Sequence, residues 1–143
     1  MKRYKYSWII PALIVAVNAI VIMIRWSSLP ETLLAHFDPE GYASGTMSRS
    51  TLLLYPIISA VVCVIIYALG RLIYKRSKNN VHAHRLRILG LTFLASGMAL
   101  VILSSSLVTL TQGTKPIFMF AEPVILLLAL AAFVVCLIKA RKL

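Results

Sequence analysis

The sequence predicts an all-α integral membrane protein, a four-helix bundle with both termini in the cytoplasm. Three observations predict it: the composition, four long apolar runs, and a lopsided distribution of Lys and Arg. Apolar residues make up 60% of the 143-residue chain and charged residues 13%, against about 45–50% and about 25% in ordinary soluble domains. A soluble protein this small has too much surface to hide so many apolar side chains. Lipid is the solvent that accepts them.

The first span runs from about Trp8 to Ile24, with Asn18 as its strongly polar member. At 1.5 Å per residue it reaches about 26 Å, enough for a hydrocarbon core of about 30 Å with Trp8 and Trp26 at the interfaces. Its basic start, Met1-Lys2-Arg3-Tyr4-Lys5, has the charge of a signal-peptide n-region. The apolar run continues past Val17-Asn18-Ala19, where a mature secreted chain would turn polar, so an uncleaved anchor is expected. The second span is Leu52 to about Leu69, with Pro56 in its first turns, where a missing backbone donor costs little. The third runs from Ile88 to Leu110 and carries Ser104-Ser105-Ser106, with Ala95 and Ala99 as a small-xxx-small pair that lets a neighbouring helix come close. The fourth ends near Ile138 and starts either at Ile117 or at about Ala121, because Pro123 fits a first-turn proline or a kink.

The formal charge of +11 would suit a nucleic-acid binder, but its placement gives the simpler explanation. Twelve basic residues fall in the N-terminal tail, the segment between spans two and three and the C-terminal tail; only Arg25, Arg49 and Lys115 fall on the other side. The positive-inside rule therefore places both ends in the cytoplasm, and no nucleic acid is needed. Cys63 and Cys136 lie inside apolar runs and read as small hydrophobes.

The loop from Arg25 to Thr51 is the most informative polar stretch, since helix connections usually take about 2–8 residues. Asp38-Pro39-Glu40-Gly41 reads as a turn, and His36-Phe37-Asp38 puts a titratable ring two residues from a carboxylate. An outer loop ordered against the bilayer or the helix ends is expected. Leu29-Pro30, Ala35-His36-Phe37-Asp38, Gly41 and Ser48-Arg49-Ser50 resemble the loop of bacterial membrane proteins that carry the domain of unknown function 1648. That domain also forms the N-terminal part of SdpI-type immunity and signalling proteins. The resemblance covers roughly Trp8 to Leu69; a proline usual before the histidine is absent, the position being Leu34 or Ala35. It implies a bacterial plasma membrane and a role in protection against, or sensing of, a membrane-active toxin.

Candidate binding residues are His36, Phe37, Asp38, Gly41 and Glu122. His36 with Asp38 reads first as a structural hydrogen bond; a pH-sensitive latch, or a metal site with Glu40 and Glu122 on the same side, is the alternative, which His82 and His84 on the opposite side cannot join. Glu122 is the one acid in or near a span. With span four starting at Ile117 it lies about 8 Å into the helix, where Arg25 and His36 are plausible partners and Asn18 faces the same interior. With a start at Ala121 it caps a helix in water. A cytoplasmic basic loop, with Lys75, Arg76, Lys78, Arg85 and Arg87, suits anionic headgroups or an acidic partner, and His82-Ala83-His84 has chelating spacing.

Catalytic motifs are absent from the sequence: no glycine-rich phosphate loop, no His-Glu-x-x-His, no nucleophile elbow. No catalytic residues, metal or cofactor are expected. The reading is a non-enzymatic binding or interaction module of immunity or signalling type. Its partners are the bilayer and a toxin peptide or another membrane protein. The alternative is an accessory subunit of a membrane transporter or membrane enzyme complex.

Overall fold

The computed structural model describes residues 7–37, 42–74, 81–111 and 117–142. Four helices dominate: α1 (Ile9–Arg25), α2 (Leu54–Tyr74), α3 (Val81–Leu110) and α4 (Ile117–Arg141). Each contains a stretch long and apolar enough to cross a bilayer. The fold is an all-α membrane bundle with one addition that the sequence reading did not contain. Between α1 and α2 lies a two-stranded antiparallel hairpin, β1 (Thr32–Phe37) and β2 (Ala43–Ser48), flanked by short 3-10 turns at Trp26–Ser28 and Arg49–Leu53.

The helices do not share burial equally. α1, α2 and α4 each bury a narrow stripe: Pro11, Asn18 and Ile22; Ser59, Cys63 and Gly70; Ala129, Cys136 and Ala140. α3 buries residues around much of its circumference and is the hub against which all three others pack. α1 and α2 also touch each other, whereas α4 packs chiefly on α3.

The contact between α3 and α4 is built from small residues. Ala83, Gly90, Gly97 and Ser104 recur at a seven-residue spacing along α3, and all four are buried. A heptad spacing returns to nearly the same face of a helix. A Cβ on Gly97 would run into the Ala129 Cβ, and one on Gly90 would lie 3.1 Å from the Cys136 Cβ and 3.2 Å from Phe133. Lipid tails are as apolar as the helices, so association here depends on van der Waals contact, which small residues maximise by letting backbones approach.

On the other side of α3, Ala95 and Ala99 are buried against Cys63, with Ile14, Val15, Ile66 and Tyr67 around them. The small-xxx-small pair thus serves the α1/α2 side. The contact with α4 uses Gly90 and Gly97 instead. Tyr67 ties three elements at this depth, its hydroxyl donating to the Ser7 carbonyl at 2.9 Å and lying 3.3 Å from the Thr92 hydroxyl.

α3 starts at Val81 rather than near Ile88. Its 30 residues span about 45 Å, well beyond a hydrocarbon core of about 30 Å. The first turns therefore project past the apolar layer and carry His82, His84, Arg85 and Arg87 as helix residues. Helical geometry also separates His82 from His84: neighbours at i and i+2 point about 200° apart around the axis and do not chelate one ion together.

Candidate functional site at the hairpin end

The hairpin is fastened to the bundle by its inner face. Leu33 is fully buried and Ala35 nearly so, whereas Thr32, Leu34, Ser44, Thr46 and Ser48 are exposed. That alternation is the period of two expected of a strand lying on an apolar surface. Leu33 and Leu29 join Ile22 of α1, Leu52 and Leu110 in one apolar cluster, with Trp26, Met47, Tyr55 and Leu107 packed around it. An aliphatic side chain of this size taken from water contributes about 1.5–3 kcal/mol, so these contacts hold the hairpin down firmly.

Arg49 fastens its base. The backbone N–H of Arg49 donates to the Glu31 carbonyl at 2.8 Å, closing the ladder. Its guanidinium donates to the carbonyls of Leu29 at 3.2 Å and Trp26 at 3.4 Å, and lies 5.0 Å from the Trp26 ring centroid. The carbonyl end of α1 and its following turn carries partial negative charge, which a cation offsets, and the indole face adds a cation–π contact. Ser48, next to it, sits within hydrogen-bond distance of Ser50 at 2.9 Å and Thr51 at 3.0 Å. The Ser48-Arg49-Ser50 motif thus joins hairpin to helices. The sequence reading placed Arg49 on the outer side but did not assign it this work; its spacing from Trp26 gives no linear signal.

Beneath the roof lie two polar ties, both from the serine triplet of α3. Ser106 and Asn18 meet at 2.6 Å, buried, and Ser106 is also 2.9 Å from the Leu103 carbonyl. One hydroxyl proton cannot serve both carbonyl oxygens. Turning the Asn18 amide over lets its Nδ2 donate to Ser106 while Ser106 donates to Leu103. Either orientation leaves one end of a fully buried amide without a partner among the described residues, and the buried Ser59 hydroxyl shares that condition. Asn18, Ser59 and Ser106 form a polar layer: the apolar cluster under the hairpin includes Ile22, Tyr55 and Leu107, and the next one down includes Ile14, Cys63 and Ala99.

The second tie is Ser105 donating to Glu122 Oε1 at 2.7 Å. α4 is helical from Ile117, so Glu122 lies in its second turn, about 8 Å from the helix start. It is a partly buried side chain at a helix contact rather than a terminal cap. The next residue, Pro123, has no N–H for the Met119 carbonyl, which leaves the backbone here locally under-bonded. Ser105 and Ser106 point about 100° apart on α3 and so reach different neighbours. Asn18 and Glu122 therefore meet different faces of α3, and the hydrogen bond that Glu122 accepts comes from Ser105; of the two expected partners, the side chain of His36 lies outside the described ones.

Of the other site residues, His36 and Phe37 are the last two residues of β1, with Phe37 opposite Ala43. Asp38 and Gly41, and with them the expected turn, lie outside the described residues, as do Lys75, Arg76 and Lys78. Arg85 and Arg87 sit in the first turns of α3, at the end of the bundle away from the hairpin. Among the described residues no three His, Cys, Asp or Glu side chains gather in a metal-binding group.

These features define a multi-pass membrane protein with a β-hairpin fastened over one end of its bundle. Comparison with protein-family models, with curated proteins and with solved structures gives no match.

Proposed function

We propose that this chain is a non-enzymatic interaction module whose hairpin receives a peptide or membrane-protein partner. It would lie in a bacterial plasma membrane, with both termini in the cytoplasm and the hairpin outside. The observation that carries this reading is the way the hairpin is held: inner face buried, base fixed by Arg49, outer face presenting exposed Leu34 and Tyr42. Joining two antiparallel helices takes only about 2–8 residues. Ordering a hairpin costs backbone entropy of about 1–2 kcal/mol per residue, and a displayed recognition surface gives that cost a purpose. The resemblance of Leu29-Pro30, Ala35-His36-Phe37-Asp38, Gly41 and Ser48-Arg49-Ser50 to the SdpI-type loop points the same way, toward immunity or signalling against a membrane-active toxin.

The test is complementation. A host strain lacking the gene is challenged with a panel of membrane-active peptides and rescued with the wild-type chain, Leu34→Asp or Tyr42→Asp. Rescue by wild type and not by the variants, at equal membrane abundance, supports the reading. Equal sensitivity with and without the gene across the panel overturns the immunity role. Topology is checked separately by placing a cysteine at Ser44. Cys63 and Cys136 are buried, so an impermeant thiol reagent should label only the added residue, and only from outside.

A second reading, an accessory subunit of a transporter or membrane enzyme complex, is favoured by α4. It packs chiefly on α3 and exposes Val124, Leu127, Leu128, Val134, Val135 and Ile138. Stoichiometric co-purification with a larger membrane protein, lost on substituting Leu127 and Leu128 by polar residues, would support it.

A further inference from the structure

The packing of α3 on α4 sets the level of every residue along their seam. Gly90 faces Cys136 and Gly97 faces Ala129, so the two helices are antiparallel and in step. The seam stays closed to its end, since Ala83 and Ala140 are both buried. In this register Lys139 is level with Arg87 and stands about 3 Å along the axis from Arg85. Measured around α3 from Gly90, Arg85, Leu89, Phe93 and Leu100 fall about 60–140° to one side. Measured around α4 from Cys136, Val124, Leu128, Val135 and Lys139 fall about 60–120° to that same side. All of them are exposed.

Together they form an apolar strip with two cations at one end. From Leu89 to Leu100 the strip is about 16 Å long, close to half of a hydrocarbon core of about 30 Å. It therefore matches one leaflet, with Arg85 and Lys139 at headgroup level. The acids of the chain are placed elsewhere. Glu122 lies about 25 Å from Lys139 along α4, Glu31 adjoins β1, and Asp38 and Glu40 fall between β1 and β2 in the sequence. Residues 1–6, before α1, and 75–80, between α2 and α3, include no Asp or Glu.

Helix dipoles favour Arg71, Lys139 and Arg141 in the last turns of α2 and α4. They give no help to Arg85 near the start of α3. Arg85 already has an interaction of its own, and the five donors of a guanidinium leave capacity for a phosphate oxygen. We infer that the seam binds one anionic glycerophospholipid, its phosphate between Arg85 and Lys139 and an acyl chain along the strip below. Basic pockets between membrane helices hold anionic headgroups in this way. A free phosphate would meet the charges and leave the strip unused; a zwitterionic lipid would cover the strip and bring its own cation to the charges. The inference depends neither on which leaflet this end occupies nor on what the hairpin receives.

The test uses the full chain in a nonionic detergent, with bound lipid counted by native mass spectrometry. Dioleoyl phosphatidylglycerol and dioleoyl phosphatidylcholine are compared at matched concentrations, and deacylated glycerophosphoglycerol is a third probe. One phosphatidylglycerol per chain should bind about tenfold or more tightly than phosphatidylcholine, since hydrogen bonds to charged groups are the strong ones. Arg85→Gln and Lys139→Gln should each weaken phosphatidylglycerol by about tenfold and leave phosphatidylcholine unchanged. Phe93→Ala should weaken both lipids. Arg71→Gln removes the same charge from α2 at this end of the bundle and should change binding by about twofold or less. A loss for Arg71→Gln equal to that for Lys139→Gln would mean diffuse attraction to a basic surface and overturns the seam site. Equal binding of the two lipids, glycerophosphoglycerol binding as tightly as the intact lipid, or a silent Phe93→Ala overturns it as well.

Discussion

The two sides of α3 solve the same problem differently. Toward α4 the helix offers Gly90 and Gly97, and the fit is so close that a single added Cβ meets Ala129 or Cys136. Toward α1 and α2 it offers Ala95, Ala99 and larger apolar residues, and adds polar contacts: Ser106 with Asn18, and Thr92 with the Tyr67 hydroxyl, which itself donates to Ser7. In lipid, where apolar burial gives no net drive, helices are held by close packing or by polar contacts. Here one helix uses mainly the first on one face and both on the other. The consequence is a difference in tolerance. A face built on glycine fails when anything is added, whereas a face with a partly satisfied polar layer has room to improve.

The largest expected effect tests the first half of that statement. Gly97→Leu should separate α4 from α3 and cost about 3 kcal/mol or more through overpacking against backbone and Ala129, read as a loss of reversible unfolding stability in detergent or bicelles. A Gly97→Leu protein of wild-type stability would show that α4 is not held by this contact. Next comes Arg49→Ala, which removes two hydrogen bonds and a cation–π contact and should cost about 2 kcal/mol. It should also quicken hydrogen exchange at the hairpin amides while leaving those of α4 unchanged. Arg49→Lys keeps the charge without the fork and should fall between.

Asn18→Leu tests the second half. Removing a buried amide with one unpaired end should leave stability unchanged or raise it by about 1 kcal/mol, since interhelical hydrogen bonds in lipid average only about 0.6 kcal/mol. A loss of similar size would mean that the polar layer is more completely bonded than the described contacts indicate. The smallest effect is expected for Glu122→Gln. Its amide oxygen can still accept from Ser105, so stability should move by about 0.5 kcal/mol or less. A pronounced loss of protection with unchanged stability would instead mark the carboxylate as part of the site.

The helices were legible in the sequence because four long apolar runs leave few alternatives once composition points to lipid. The hairpin was not. β1 has a weak alternation, with Leu33, Ala35 and Phe37 on one phase, and a turn-like Asp38-Pro39-Glu40-Gly41 follows it. β2, reading Ala-Ser-Gly-Thr-Met-Ser, has only Thr46 among strong strand formers. Its conformation comes from pairing with β1 and from the apolar surface under Leu33 and Met47, which are tertiary effects. The α3–α4 contact is written in the heptad Ala83, Gly90, Gly97, Ser104, whereas the shorter Ala95/Ala99 spacing belongs to the face toward α2. The partner of Glu122 depended on where α4 begins, which Pro123 left open.

The bond between Asn18 and Ser106 joins residues 88 positions apart in the chain. At about 5–20 residues per second, a ribosome needs some seconds to make the intervening segment after Asn18 has emerged. For that interval α1 holds an amide whose eventual partner does not yet exist. α1 thus enters the bilayer with this amide bonded only to water or to whatever polar group is near, a cost of the order of one interhelical hydrogen bond, and the bond to α3 forms afterwards.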